Sequence, residues 1–116
     1  MYIINILKER GGFAVKITDI KVRKLFDDDS PMKAIASVTF DDQLALHDIK
    51  VIYAREKYFI VMPSRKNADG TYRDIVHPIN AAFRAELEES VLEAYDRAAA
   101  EAEAARAMEE AEIPEE

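Results

Sequence analysis

The sequence predicts an α+β domain, an antiparallel sheet of about five strands followed by one long C-terminal helix. Three observations carry that prediction. Through residue 76 the apolar residues come in short runs rich in Val, Ile, Tyr and Phe, separated by Asp, Pro and Gly turn signals. After Pro78 the period changes, and Phe83, Leu87, Val91 and Tyr95 recur every four residues, the stripe of a helix lying on a sheet. The chain has 116 residues, 49% of them hydrophobic, which is one small domain with enough apolar side chains for one core.

The elements follow in order. Residues 16–26 set Ile20 and Val22 between Asp19, Lys21 and Arg23, the alternation of a half-buried strand. Asp27, Asp28, Asp29, Ser30 and Pro31 end it, because Asp and Ser form local turns and Pro offers no amide to a ladder. Residues 34–40 and 44–53 flank Asp41 and Asp42 and read as a hairpin. Within the second of these, Leu46, Asp48, Lys50 and Ile52 alternate with His47, Ile49, Val51 and Tyr53, giving one apolar and one mixed face. Residues 58–62 are five consecutive large apolar residues, read as a central buried strand that Pro63 stops. Residues 67–70 form a turn in which Gly70 can take positive φ, and residues 72–76 make a fifth strand. Asn80 is placed to cap the helix.

Beyond Ala98 the helical signal rests on Ala and Glu, with Met108 and Ile113 the only sizeable apolar residues. A helix over 80–111 would be about 48 Å long, against about 30 Å for a compact globule of the preceding size. It must overhang or fray, and residues 98–116 read as a solvated acidic tail, helical or disordered.

Charge is distributed unevenly. The net charge is -7, from 16 basic and 23 acidic residues, and most of the excess lies in the tail, where Arg106 stands among seven Glu. The remainder is nearly balanced, so local patches of either sign are open to it. Arg55, Lys57, Arg65, Lys66 and Arg73 fall within 19 residues, opposed by Glu56, Asp69 and Asp74. Arg65 and Lys66 lead this group, since a strand end and a Gly turn can present several cations on one rim to phosphates. The plain alternative is solubilising charge on loops. A second group, Lys21, Arg23 and Lys24, lies on the first strand, with Lys21 and Arg23 on one face and Lys24 on the other.

Chemistry finds little footing. There is no Cys, which removes disulfides, thiolate nucleophiles and Cys-ligated metal sites. His47-Asp48 and His77 lack ligand spacing, Ser64 has no GxSxG elbow, and Gly11, Gly12 and Gly70 cannot form a phosphate cradle. The expectation is therefore no enzyme, no catalytic residues, no metal, no cofactor and no small-molecule substrate. No apolar run reaches spanning length, and the first residues have their cations after the apolar stretch, the reverse of a signal peptide. A cytoplasmic protein with no membrane contact is expected.

Several segments together carry a family likeness: KITDIKVRKLFDDDSPMKAIASVTFDD, LHDIKVI, FIVMPSRKNADGTYRDIVHPIN and FRAELEESVLEAY. From Lys16 to about Tyr95 the chain resembles stage V sporulation protein G, the SpoVG family. That resemblance implies a small bacterial regulator of gene expression, septation or sporulation that is a homodimer and binds DNA, and RNA in some members. It also implies a sheet followed by a C-terminal helix. Family members begin with Met where Val15 stands here, and residues 1–14 have no recognised counterpart. Lys8-Glu9-Arg10-Gly11-Gly12 can be encoded by a purine run with ribosome-binding character, and Val15 by a GTG start. Residues 1–14 are accordingly expected to be non-native leader read in frame, the alternative being a short apolar strand over 2–7. The expected organisation is leader over 1–14, a SpoVG-like domain over 15–97 and an acidic tail over 98–116. The competing functional reading is a dimeric protein-interaction module without specific nucleic-acid binding.

Overall fold

The computed structural model describes residues 14–112, with side chains as far as residue 110. The leader and the alternative strand over 2–7 lie outside the described residues, apart from Ala14. Four strands form one antiparallel sheet in chain order: β1 (Ile17–Leu25), β2 (Met32–Phe40), β3 (Leu44–Ala54) and β4 (Lys57–Val61). A separate two-stranded ribbon, β5 (Ser64–Lys66) with β6 (Tyr72–Asp74), comes next, and the helix α1 (Ala81–Glu112) closes the chain. The α+β class and the sheet-then-helix order stand as the sequence predicts.

The helix packs on one face of the sheet. Ala34, Ala36, Val38, Ile49, Val51 and Ile60 from the strands meet Leu87 and Val91, all of them buried. Phe83 and Tyr95 extend this stripe at either end, with Phe83 6.1 Å from Phe40 and Tyr95 5.7 Å from Tyr58 between ring centroids. Burial, then the neighbouring Tyr58, pushes the Tyr95 phenol above its ordinary pKa, so it stays neutral on the sheet-facing side of the helix. Asn80 caps as expected: its Oδ1 accepts the Phe83 amide at 2.7 Å and its carbonyl accepts the Arg84 amide at 3.1 Å. No helix among the described residues is long and apolar enough to cross a membrane.

Three details differ from the sequence reading. Residues 58–62 were expected at the centre of the sheet, and β4 is an edge strand. Its apolar run is explained by the helix, which buries Ile60 and Met62. The outward Ile60 amide donates to Glu88 Oε2 of α1 at 3.2 Å, so a side chain occupies the ladder position that a further strand would take. Second, of the fifth strand expected over 72–76 only residues 72–74 are strand, and they pair with Ser64–Lys66 and not with the main sheet. Three polar residues carry no alternation, which hid β5, and Pro63, read as a stop, accepts the Ile75 amide at 2.8 Å and closes the base of the ribbon. Third, bulges reset the phase of β1, β2 and β3. On β1 the core-facing residues are Ile17, Ile20, Val22 and Leu25, a spacing that two bulges produce. On β3, Asp48 at φ 66° marks a bulge that sends Leu46 to the same face as Ile49 and Val51.

The hairpin turns use the left-handed backbone. Arg55 (φ 56°) and Glu56 (φ 62°) join β3 to β4 as a two-residue turn of the primed kind, which suits strand twist but costs a non-glycine residue about 1–2 kcal/mol. Glu56→Gly is expected to raise unfolding stability by about 0.5–1 kcal/mol, read as a higher midpoint in urea. Leu87→Ala, on the buried side of the second turn of the helix, is expected to lower it by about 2–5 kcal/mol.

Candidate nucleic-acid interface

The ribbon gathers three of the five cations named from sequence. Arg65 stands directly across from Arg73, and Lys66 across from Tyr72. Like charges directly opposed on a ladder weaken it, so the pair suits an anion lying between the two guanidinium groups. The turn beyond is tightly bonded: the Asn67 amide donates to the Thr71 carbonyl at 2.7 Å, and the Gly70 amide to the Asn67 carbonyl at 3.0 Å. Gly70 takes φ 92°, a conformation that needs the missing Cβ. Asp69 accepts from the Thr71 hydroxyl at 2.7 Å and the Thr71 amide at 3.1 Å. Those bonds hold its carboxyl below the ordinary carboxylate range, and they commit it to the turn and not to the arginines. Residues 65–77 are exposed throughout, and no other described element packs on the ribbon.

Arg55 and Lys57 are elsewhere. They sit at the β3–β4 turn, and β4 runs from there toward Ser64. Ser64 lies seven positions along from Lys57, about 23 Å of extended chain at 3.3 Å per residue. The single rim expected from sequence is therefore two groups, one at each end of β4.

The sheet face away from the helix carries a third basic region. Register places Lys21 beside Ser37, Lys24 beside Ile35, and Ile35 beside Lys50, which pairs in turn with Val61. Ile52 and Phe59 form the adjoining row, and Lys57 shares their face by alternation. Arg23 occupies the β1 bulge and donates from Nε to Ser37 Oγ at 3.4 Å. The period-2 reading, with Lys24 opposite to Lys21 and Arg23, is corrected by that bulge: all three serve this open face. Lys50 was not among the candidates; its signal was its place on the mixed face of β3.

The polar contacts that resemble catalytic pairs have structural partners. Ser37, 6% exposed, has its hydroxyl 2.9 Å from His47 Nδ1 as well as within reach of Arg23, and so ties three strands together. His77 Nδ1 lies 3.0 Å from the carbonyl of Pro78 at the entry to the helix. Among the described residues no three His, Asp or Glu side chains are grouped to hold a metal ion.

Comparison with known proteins places the chain in a family. The family model SpoVG matches residues 15–97. A protein of Clostridioides difficile is 54% identical over 84 residues, covering 72% of this chain and 90% of that protein. Proteins of Caldanaerobacter subterraneus subsp. tengcongensis and Lachnospira eligens are each 51% identical over 84 residues, covering 72% of this chain and 91% and 94% of their own lengths. All three bear the name "Putative septation protein SpoVG". A family match across most of the chain, on the sheet and helix just described, means that this chain belongs to the SpoVG family.

Proposed function

We propose that this protein is a nucleic-acid-binding regulator that works as a homodimer in the cytoplasm and affects gene expression, septation or sporulation. The observation that carries the reading is the β5–β6 ribbon, with Arg65 set against Arg73 and Lys66 beside them, standing clear of the other elements. A two-stranded ribbon has the width that the major groove of DNA admits, and Arg provides forked donors for phosphates and guanine edges. Arg55 and Lys57, at the other end of β4, add phosphate contacts. The septation named for its relatives supplies the biological setting.

A second copy accounts for the apolar side chains along the same segment. Tyr72 (69% exposed), Ile75 (67%), Val76 and Ile79 (88%) are large apolar side chains exposed close together in the chain, as side chains at an interaction surface are. The same run supports the alternative of a protein-interaction module, and salt separates the two, because phosphate contacts weaken with counterions and apolar interfaces do not.

Binding of a 20-base-pair duplex by the full chain is expected to weaken steeply with salt. In Arg65→Ala/Lys66→Ala/Arg73→Ala it is expected to fall by about tenfold or more, with a shallower salt slope. Affinity equal to wild type would remove the ribbon from the interface. In sedimentation, a mass near twice 13.2 kDa is expected, and a single 13.2 kDa species at micromolar concentration would rule out the dimer.

A further inference from the structure

We infer that the open face of the four-stranded sheet is a second nucleic-acid surface, shaped for a single strand, while the ribbon is shaped for duplex. The inference rests on the nucleic-acid reading above and extends it to residues outside the ribbon.

Two features on this face suit single-stranded polynucleotide together. Its middle is apolar: Ile35, Ile52, Phe59 and Val61 are half-buried by one another and take no part in the core beneath the helix. Around and through that middle stand Lys21, Arg23 and Lys24 on β1, Lys50 on β3 and Lys57 on β4. The acidic residues of the same strands are Asp19, which lies 3.8 Å from Lys21, and Asp48 in the β3 bulge. Unstacked bases present flat apolar faces that lie on an aromatic or aliphatic platform, while their phosphates need flanking cations. Here both are supplied on one plane.

Other occupants fit less well. Four strands about 4.8 Å apart make a face about 14 Å across, wider than the roughly 12 Å major groove, so the sheet cannot enter a duplex as a ribbon does. A second copy docked face to face would set two faces against each other that both carry Lys21, Lys24, Lys50 and Lys57, with only Asp19 and Asp48 among the strands' residues to oppose them. The opposite side of the molecule is α1, with ten acidic and three basic residues over its 32 positions. Its field turns a polyanion away from that side and toward the open face.

The test uses the full-length chain with two probes, a 12-nucleotide oligo-uridine and a 20-base-pair DNA duplex, in three forms: wild type, Lys21→Ser/Lys24→Ser/Lys50→Ser, and the ribbon triple variant. Lys21 and Lys24 are exposed and Lys50 is half-buried between Ile35 and Val61, so the variant's melting curve is recorded beside wild type. The face variant is expected to lose about tenfold or more for the single strand, with its salt slope reduced by about two, and to keep its duplex affinity. The ribbon variant is expected to do the reverse. Phe59→Leu, which retains apolar volume but not the ring, is expected to weaken the single strand several-fold at unchanged salt slope. Unchanged single-strand affinity in the face variant overturns the inference, as does an equal loss for both probes. Duplex binding by wild type without single-strand binding overturns it while leaving the ribbon reading intact. Absence of binding to either probe overturns both, and an acidic protein partner then becomes the occupant to seek.

Discussion

An α-helix is about 10 Å wide and the four-stranded sheet beneath it about 14 Å, so one helix can bury one face and chiefly its central strip. The rest of the molecule answers to that limit. Under the helix, the sheet offers Ala34 and Ala36, whose small side chains allow close approach, with Val38, Ile49, Val51 and Ile60 filling the space around Leu87 and Val91. Each fully buried aliphatic side chain contributes about 1.5–3 kcal/mol against its exposed state. At the margins bulges bring Ile17, Ile20, Val22 and Leu25 inward on β1, and the tilted rings of Tyr53, Tyr58 and Tyr95 pack in a row across the other flank.

The same limit leaves the second face without a layer. Its side chains therefore serve two environments, and Ile35, Ile52, Phe59 and Val61 alternate with lysines whose stems can lie along apolar surface while the ammonium stays in water. β4 has its Ile60 amide taken by Glu88, which discourages another strand from adding there. Beyond β4 the chain leaves the sheet altogether as the ribbon, whose charge and exposed apolar residues have no use within the fold itself.

Local chemistry was legible in the sequence wherever one residue decides the outcome. Asn80 as cap, Gly70 in its turn, and the stripe from Phe83 to Tyr95 all rest on a side chain acting within a few positions of itself. What escaped depends on pairing at a distance. A bulge adds one residue to one strand and leaves no mark on its own sequence, so Lys24 and Leu46 each stand on the face opposite to the one alternation gives. The edge position of β4 escaped for a similar reason, since five apolar residues look the same whether covered by strands or by a helix. Of the candidate cations, Arg65, Lys66 and Arg73 come together through a ribbon too short to show periodicity, while Arg55 and Lys57 are held apart from them by the length of β4.

The length of α1 has a consequence for how the molecule responds to heat. Past Tyr95 the helix soon runs out of core to rest on, and between residues 100 and 110 every residue but Ala102 is exposed. One tie is seen there, Arg106 to Asp27 of the β1–β2 loop at 3.1 Å, an exposed ion pair of the kind worth about 0–1 kcal/mol. This last stretch is shorter than the roughly 12–15 residues at which an isolated helix becomes even marginal in water. Its ellipticity should therefore decline gradually on warming, as a sloping baseline ahead of the cooperative loss of the core, with amide exchange fastest toward its C-terminal end. The folded protein thus combines an all-or-none domain with an appendage that melts residue by residue.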